Sequence, residues 1–257
     1  MTHHMFARRS GVATALAVSA AMAAALAGCK SSASAGGTSG PAASATASAD
    51  AASGGSGSSG SSGSGSSGAD YWPAAQGNTW VYKSYLLSGL TSKETVIDKI
   101  IRVVPAADGK KVTMRTAEPG LATFTNTYVF HSDGSISVPF QSVGGMSDVK
   151  IDSGSGVFWP SVAGSPPGTT RTSVIRMSGP HIGHVTAHIT VTSGGSKTVT
   201  VPAGTYSTRA VIETIKEKVA GHAISVKLIT YLAPGVGPVK SVMDGSTGEV
   251  LKSFTRG

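Results

Sequence analysis

Few residues in this chain have the types and spacing to do chemistry. Cys29 is the single cysteine, and it follows Leu26-Ala27-Gly28 at the close of an apolar run from Val12 to Ala27 that Arg8 and Arg9 precede. Small residues before the thiol suit a signal peptidase, which needs an extended, uncrowded chain at the bond it cuts. The run is shorter than the roughly 20 apolar residues that cross a bilayer, and a lone thiol cannot form the paired staples of small secreted domains. The second group is His181-x-x-His184-x-x-x-His188. Imidazoles are metal ligands in kind, but on a strand His184 and His188 share an ordinary polar face with Thr186 and Thr190. Their Cα atoms then stand roughly 13 Å apart, too far for one zinc. His184 and His188 are weak metal candidates, and neither a metal nor a cofactor is expected. No Gly-x-Ser-x-Gly elbow, His-Glu-x-x-His, Walker loop or paired-cysteine zinc motif occurs, so no catalytic residue is assigned. A hydrolase assembled from dispersed residues, for example a serine with His131 or His222, stays open as an alternative.

The elements that would position these residues divide the chain in three. Residues 1–28 read as a signal peptide, residues 29–69 as the cysteine plus a tether, and residues 70–257 as the folded domain. From 30 to 69 the chain is almost wholly Ser, Gly, Ala and Thr, with Lys30 and Asp50 its only charges and no aromatic residue. Such a segment buries too little apolar surface to offset its chain entropy, so it is expected to be a disordered linker with a typical reach of about 35 Å. Gly63-Ser64-Gly65-Ser66-Ser67-Gly68 matches the dinucleotide pattern by composition alone, since no strand precedes it. The remaining 188 residues suffice for one core without disulfides. They carry 18 Lys plus Arg against 12 Asp plus Glu. That excess is thinly spread and has no interleaved aromatics, so no nucleic-acid partner is expected; it reads first as solvated surface charge and only second as attraction to anionic lipid or wall polymer.

Short runs rich in Val, Ile and Thr, punctuated by Gly, Pro and Asp, predict antiparallel β structure. A first strand starts at Gly77-Asn78-Thr79-Trp80-Val81-Tyr82. Others are expected near Thr95–Val104, Val112–Arg115, Ala122–His131, Ser135–Val138, Thr172–Met177 and His184–Thr192. Thr198–Val201 then turns at Pro202-Ala203-Gly204 into Tyr206–Ile215, followed by His222–Tyr231, Val236–Met243 and Val250–Phe254. Asp108-Gly109, Asp133-Gly134 and Gly194-Gly195 are read as tight connections. Val211–Val219 has charges at helical spacing, yet its flanks favour strand. Ser142–Thr170, with Pro160, Pro166 and Pro167, lacks periodicity and reads as a long surface loop able to act as a cover. The fold class is therefore all-β: one large curved antiparallel sheet, half-barrel or open-barrel like. Its apolar side would carry Trp80, Tyr82, Phe124, Tyr128 and Phe130, the candidate ligand-binding residues. An uncovered apolar face of this size calls for a cover or a ligand.

Leu26-Ala27-Gly28-Cys29 resembles the lipobox of bacterial lipoprotein signals. That resemblance implies cleavage before Cys29 and S-acylation by a diacylglycerol with palmitate-type chains, which would hold the protein on the extracytoplasmic face of the cell membrane. Arg8-Arg9 leaves export by the general or the twin-arginine route open. Three phrases carry a second resemblance: Tyr71-Trp72-Pro73 with Gly77-Asn78-Thr79-Trp80-Val81-Tyr82; Val199-Thr200-Val201-Pro202-Ala203-Gly204-Thr205-Tyr206; and Tyr231-Leu232-Ala233-Pro234-Gly235-Val236-Gly237-Pro238-Val239-Lys240. They resemble an actinobacterial-type family of secreted lipoproteins of unknown function, whose domain is similar to the LolA/LolB-like half-barrels of lipid-carrying lipoproteins. This chain departs from those carriers in having no evident lid helices. The resemblance implies a non-enzymatic envelope module that binds a lipid or other apolar or amphiphilic ligand, or a neighbouring envelope protein.

Overall fold

Period-two alternation builds the strands. In the strand Thr95–Ala106, Val96, Asp98 and Ile100 are buried while Ile97, Lys99 and Ile101 face outward, because successive side chains of an extended chain point to opposite faces. The computed structural model describes residues 71–86, 95–117, 123–138, 150–154, 156–179, 183–219, 222–244 and 247–257. Cys29, the tether and His181 lie outside the described residues. Those described contain thirteen strands and no α-helix. The strands are β1 (Thr79–Leu86), β2 (Thr95–Ala106), β3 (Gly109–Ala117), β4 (Phe124–Phe130), β5 (Ile136–Val138), β6 (Lys150–Ser153) and β7 (Val157–Trp159). There follow β8 (Thr170–Gly179), β9 (Gly183–Val201), β10 (Gly204–Val219), β11 (His222–Ala233), β12 (Gly237–Met243) and β13 (Thr247–Thr255). All pairings are antiparallel in one sheet of order β6-β8-β9-β10-β11-β12-β13-β1-β2-β3-β4-β5-β7. Val211–Val219 is strand, paired with β11 throughout and with β9 as far as Glu217.

Chain connectivity requires the sheet to curl. β6 and β7 occupy its two opposite edges, yet only residues 154–156 separate them. Laid flat, thirteen strands would span about 58 Å at roughly 4.8 Å each. The four Cα steps from Ser153 to Val157 reach no more than about 15 Å. The sheet therefore wraps until its edges nearly meet, bridged by the chain rather than by a ladder, and stays an open barrel.

Two local expectations change. Gly194-Gly195 is not a hairpin turn: β9 runs through it to Val201, and the register with β10 slips between Arg209 and Val211. The glycine serves a close approach there, since a Cβ on Gly194 would come within 2.7 Å of the Ala210 Cβ. This is the irregularity that a bulge introduces into a long ladder. Ser142–Thr170 is not one long loop either. Its residues 142–149 lie outside the described residues, but it supplies both edge strands, and Trp159 of β7 turns inward and is fully buried. The turn that follows is tied down by Arg209 on β10, whose guanidinium donates to the Ala163 and Ser165 carbonyls at 3.1 and 2.7 Å.

Inside the curl the core is aromatic at its centre. Trp72, from the segment preceding β1, packs against Tyr128, Phe130 and Trp159 with ring centroids 5.3, 5.6 and 5.9 Å apart. Trp80 stacks on Phe254 at 5.1 Å and donates its indole N–H to the Val236 carbonyl at 2.6 Å. Gly237, at φ 95°, is where the β11–β12 turn passes these indoles: a Cβ there would meet Trp72 Cδ1 at 3.0 Å and Trp80 Nε1 at 3.3 Å. Only glycine accepts both the angle and the approach.

Candidate functional site

The concave face is not uniformly apolar. Register lines up a polar row across four neighbouring strands: Thr230 of β11 faces Ser241 of β12, Ser241 faces Glu249 of β13, and Glu249 faces Ser84 of β1. All four are buried. Next to this row, Asp98 of β2 accepts a hydrogen bond from Thr116 Oγ1 of β3 at 2.5 Å. On the opposite wall, Glu213 of β10 accepts one from the Trp159 indole at 3.2 Å, and Glu217 follows four residues on, on the same face. Four carboxyl side chains thus sit inside the curl, each under 9 % exposed.

Burial sets their chemistry. It pushes the Asp98 carboxyl up to about 6, against the smaller opposing pull of its Thr116 hydrogen bond. It pushes Glu213 up to about 7, with the Trp159 N–H pulling the other way, and it raises Glu217 as well. A charged carboxylate is poorly solvated there, so the neutral form persists to higher pH. The two phenols report the same field. Tyr82 is raised first by burial and then by Asp98 and Glu249, and Tyr128 first by burial and then by Asp98 and Glu213. Tyr128 on β4 is therefore flanked by acids from both walls. Its hydroxyl meets the Asn126 side chain, whereas both carboxyl oxygens of Glu217 and the Thr230 hydroxyl are buried without a hydrogen-bond partner among the described residues. A small pocket of about 290 Å³, its mouth included, opens on this wall and is lined by Trp72, Tyr82, Asp98, Met114, Lys240 and Glu249 among others. Most of that volume is open mouth, and the enclosed part has room for about one water molecule.

Of the aromatic residues expected to bind a ligand, Trp80, Tyr82, Tyr128 and Phe130 are buried on the concave side, and of these only Tyr82 lines the pocket. Phe124 lies in β4, and its side chain falls outside what is described. His184 and His188 face outward on β9 and are exposed, with His184 Nδ1 4.0 Å from Asp152 Oδ2. The acids were missed by sequence reasoning, although a signal was present. Asp98 lies two residues from Val96 and from Ile100, and Glu213 and Glu217 alternate with Val211 and Ile215. An acid sharing parity with buried aliphatics on a strand must point inward.

The structure also joins a serine, a histidine and an aspartate. Ser137 Oγ lies 3.0 Å from His131 Nε2, and His131 Nδ1 lies 3.2 Å from Asp108 Oδ2. Asp108 further accepts hydrogen bonds from the Ser132 hydroxyl and, at 3.3 Å, from the Ser132 N–H. The neighbouring amides are spent within the turn: those of His131 and Gly134 on the Ser135 and His131 carbonyls, and that of Ser135 on the Asp133 carboxylate. Acyl transfer also needs free donors for the oxyanion, and these amides cannot supply them. The arrangement ties the β4–β5 turn to the β2–β3 turn.

No protein-family model matches the chain, and no curated protein matches it in sequence. Solved structures do match in fold. A Bacteroides fragilis protein described as exported and as having a YmcC-like fold superposes with a TM-score of 0.51 at 17 % identity, over 72 % of this chain and 98 % of its own. A Parabacteroides distasonis protein described as a lipoprotein gives 0.52 at 15 % identity over the same shares. The Escherichia coli lipoprotein YmcC gives 0.36 at 9 % identity, over 71 % of this chain and 87 % of its own, a level from which no common fold follows. The curled thirteen-stranded sheet is thus a fold shared with bacterial proteins of these two descriptions.

Proposed function

We propose that this chain is a lipoprotein anchored through Cys29 on the extracytoplasmic face of the cell membrane, and that its curled sheet is a non-enzymatic binding module for an amphiphilic or apolar ligand. The pocket on the concave face carries the reading. It places buried polar groups of the wall beside Trp72, Tyr82 and Met114, the pairing of apolar body and convergent polar groups that marks ligand sites. The lipobox and the descriptions of the two fold neighbours support the location. Trp72 and Trp159 fill the centre of the curl, which favours a single chain or head group over a whole diacyl lipid. A neighbouring envelope protein is the other partner compatible with the sheet. The test is titration of the full mature chain carrying Cys29→Ala with a fluorescent fatty acid, together with mass spectrometry of what co-purifies with the acylated protein. Saturable one-to-one binding, or a defined co-purifying amphiphile, supports the reading. Absence of both moves the module to protein–protein contact.

The second reading is a hydrolase built on Ser137, His131 and Asp108, which the observed hydrogen-bond chain alone favours. Labelling with a fluorophosphonate distinguishes it: modification of Ser137 in the folded protein establishes a nucleophile, and an unmodified chain leaves the trio as a clamp between turns.

A further inference from the structure

We infer that the outer face of β1, β2 and β3 is a docking surface for a membrane of anionic phospholipid, with Ile97 and Ile101 entering the interface and Lys83, Lys99, Arg102 and Arg115 meeting the phosphates around them. The inference takes from the reading above only the anchor at Cys29, and it is independent of any ligand inside the curl.

Three observations carry it. First, the sheet sorts charge by face. Asp98, Glu213, Glu217 and Glu249 turn inward, and of the acids in the described strands only Asp152, on the edge strand β6, stays outside. The outer face of β1 to β3 thus carries its basic residues with no strand acid among them. Second, apolar side chains stand between these cations. Ile97 and Ile101 are 40 % and 37 % exposed on the outer side of β2, with Lys99 between them. Register sets half-buried Val81 and Ala117 beside Ile97, Arg115 beside Lys99, and Lys83 beside Thr95. The ladder to β3 slips between Ile100 and Arg102, so Ile101 is the extra residue and projects from the sheet, as bulges re-aim a side chain. Lys83, Lys99, Arg102 and Arg115 are in no ion pair among the described residues. Third, the chain arriving from Cys29 enters the fold against this wall. The Gly77 N–H donates to the Ile100 carbonyl at 2.8 Å, and the Ile100 N–H donates to the Asn78 carbonyl at 2.9 Å.

An anionic bilayer suits this combination. Lys and Arg lay their stems along apolar surface while their heads stay with the phosphates, and each cation held near such a surface strengthens binding by about fivefold. A second copy on the same face would set Lys99 and Arg115 against their own counterparts, like charge on like. Val174 on β8, 43 % exposed, is the other large apolar side chain standing out among the described residues, and it stands alone. Salt screens a contact of this kind within about 10 Å. It therefore orients a domain that the acyl chains already hold near the bilayer, where the anchor's effective concentration makes a weak contact count.

The experiment is co-sedimentation, at low salt, of the full mature chain carrying Cys29→Ala with vesicles of phosphatidylglycerol and phosphatidylcholine and, in parallel, with vesicles of phosphatidylcholine alone. Binding to the anionic vesicles is expected, about tenfold or more tighter than to the neutral ones, and it should fade as salt is added. Lys99→Glu with Arg115→Glu should weaken it by about 25-fold or more, and Ile97→Ser with Ile101→Ser on the order of tenfold. Arg171→Glu with Arg176→Glu removes the same charge from β8 and should leave binding within about twofold. Equal binding to the two vesicles, equal loss from the two charge pairs, or no effect of Ile97→Ser with Ile101→Ser overturns the inference. So does an absence of vesicle binding, and a dimer that Ile97→Ser with Ile101→Ser dissolves would then give the face to a second copy. The replaced side chains are exposed, so the variants should melt as the parent does, and the comparison of vesicles is read on the parent surface alone. No acyl chain is present in this assay. Failure of the anchor reading shows separately, as unaltered protein in the soluble fraction of cells.

Discussion

Replacing Glu213 by Gln tests whether the acidic interior is as poorly solvated as its geometry implies. The folded carboxyl holds its proton up to about 7 instead of 4.5. Between those values the folded state binds more protons than the unfolded one, so this group's contribution is fully present below pH 4.5 and is lost as pH rises through about 7. At 1.36 kcal/mol per pH unit, the ionised group costs about 3 kcal/mol at pH 8 and under about 1 kcal/mol at pH 5. Gln is neutral throughout and its amide oxygen still accepts from the Trp159 indole. Glu213→Gln should therefore raise the melting temperature by about 6–12 °C at pH 8 and by about 3 °C or less at pH 5, at 2–4 °C per kcal/mol for a domain of this size. Asp98, pushed up to about 6, acts with the same sign, so the unaltered protein should itself melt higher at pH 5 than at pH 8. Asp108 and Asp133 are held below the ordinary range by hydrogen bonds led by those from Ser132 and Ser135, and act in acid below that window. Melts followed by tryptophan fluorescence at pH 5, 6, 7 and 8 give the comparison. A variant no more stable than its parent at pH 8, or one whose gain is the same at both ends, refutes the reasoning.

The anchor and the strap give two further predictions. Cys29→Ala should leave the exported protein in the soluble fraction after cell breakage, since the lipobox reading makes the acyl chains at this residue the anchor; sedimentation of that variant with membranes would overturn the lipobox. Trp159→Ala removes a fully buried indole and the hydrogen bond it donates to Glu213, and should cost about 3–5 kcal/mol, a drop on the order of 10 °C in the melt. A drop of a degree or two would mean that β7 lies over the curl without closing it.

What could be read from the sequence was what is written locally. Pro202-Ala203-Gly204 and Asp108-Gly109 name their hairpins because turn chemistry acts over a few residues, and the alternating runs name β2 and β11 because one face of each is buried over several residues, Val96, Asp98 and Ile100 in the first and Val226, Leu228, Thr230 and Leu232 in the second. β6 and β7 are four and three residues long, too short to show alternation, and their places on opposite edges follow only from long-range pairing. Gly194-Gly195 misleads for the related reason that glycine serves turns and close approaches alike. The site was half legible. Trp80, Tyr82 and Tyr128 show their inward face by type, whereas Asp98 and Glu213 show theirs only by parity with aliphatic neighbours, and their meeting near Tyr128 depends on a curl that no local pattern states.

The same acids bear on what the fold is for. Domains are stable by about 5–15 kcal/mol, and at neutral pH Asp98 and Glu213 together subtract several kcal/mol from that margin. Similar side chains without charge would pack as well, and replacing buried charges by apolar groups of like volume is often stabilising. The curl itself does not need them, because it is enforced by the three-residue link between β6 and β7 and filled by Trp72, Trp80 and Trp159. Neither do the turns, which are held by Arg209 and by the Asp108 network. What two of the acids do in the fold is accept hydrogen bonds, Asp98 from Thr116 across β2 and β3, and Glu213 from the buried Trp159 indole of the edge strand β7.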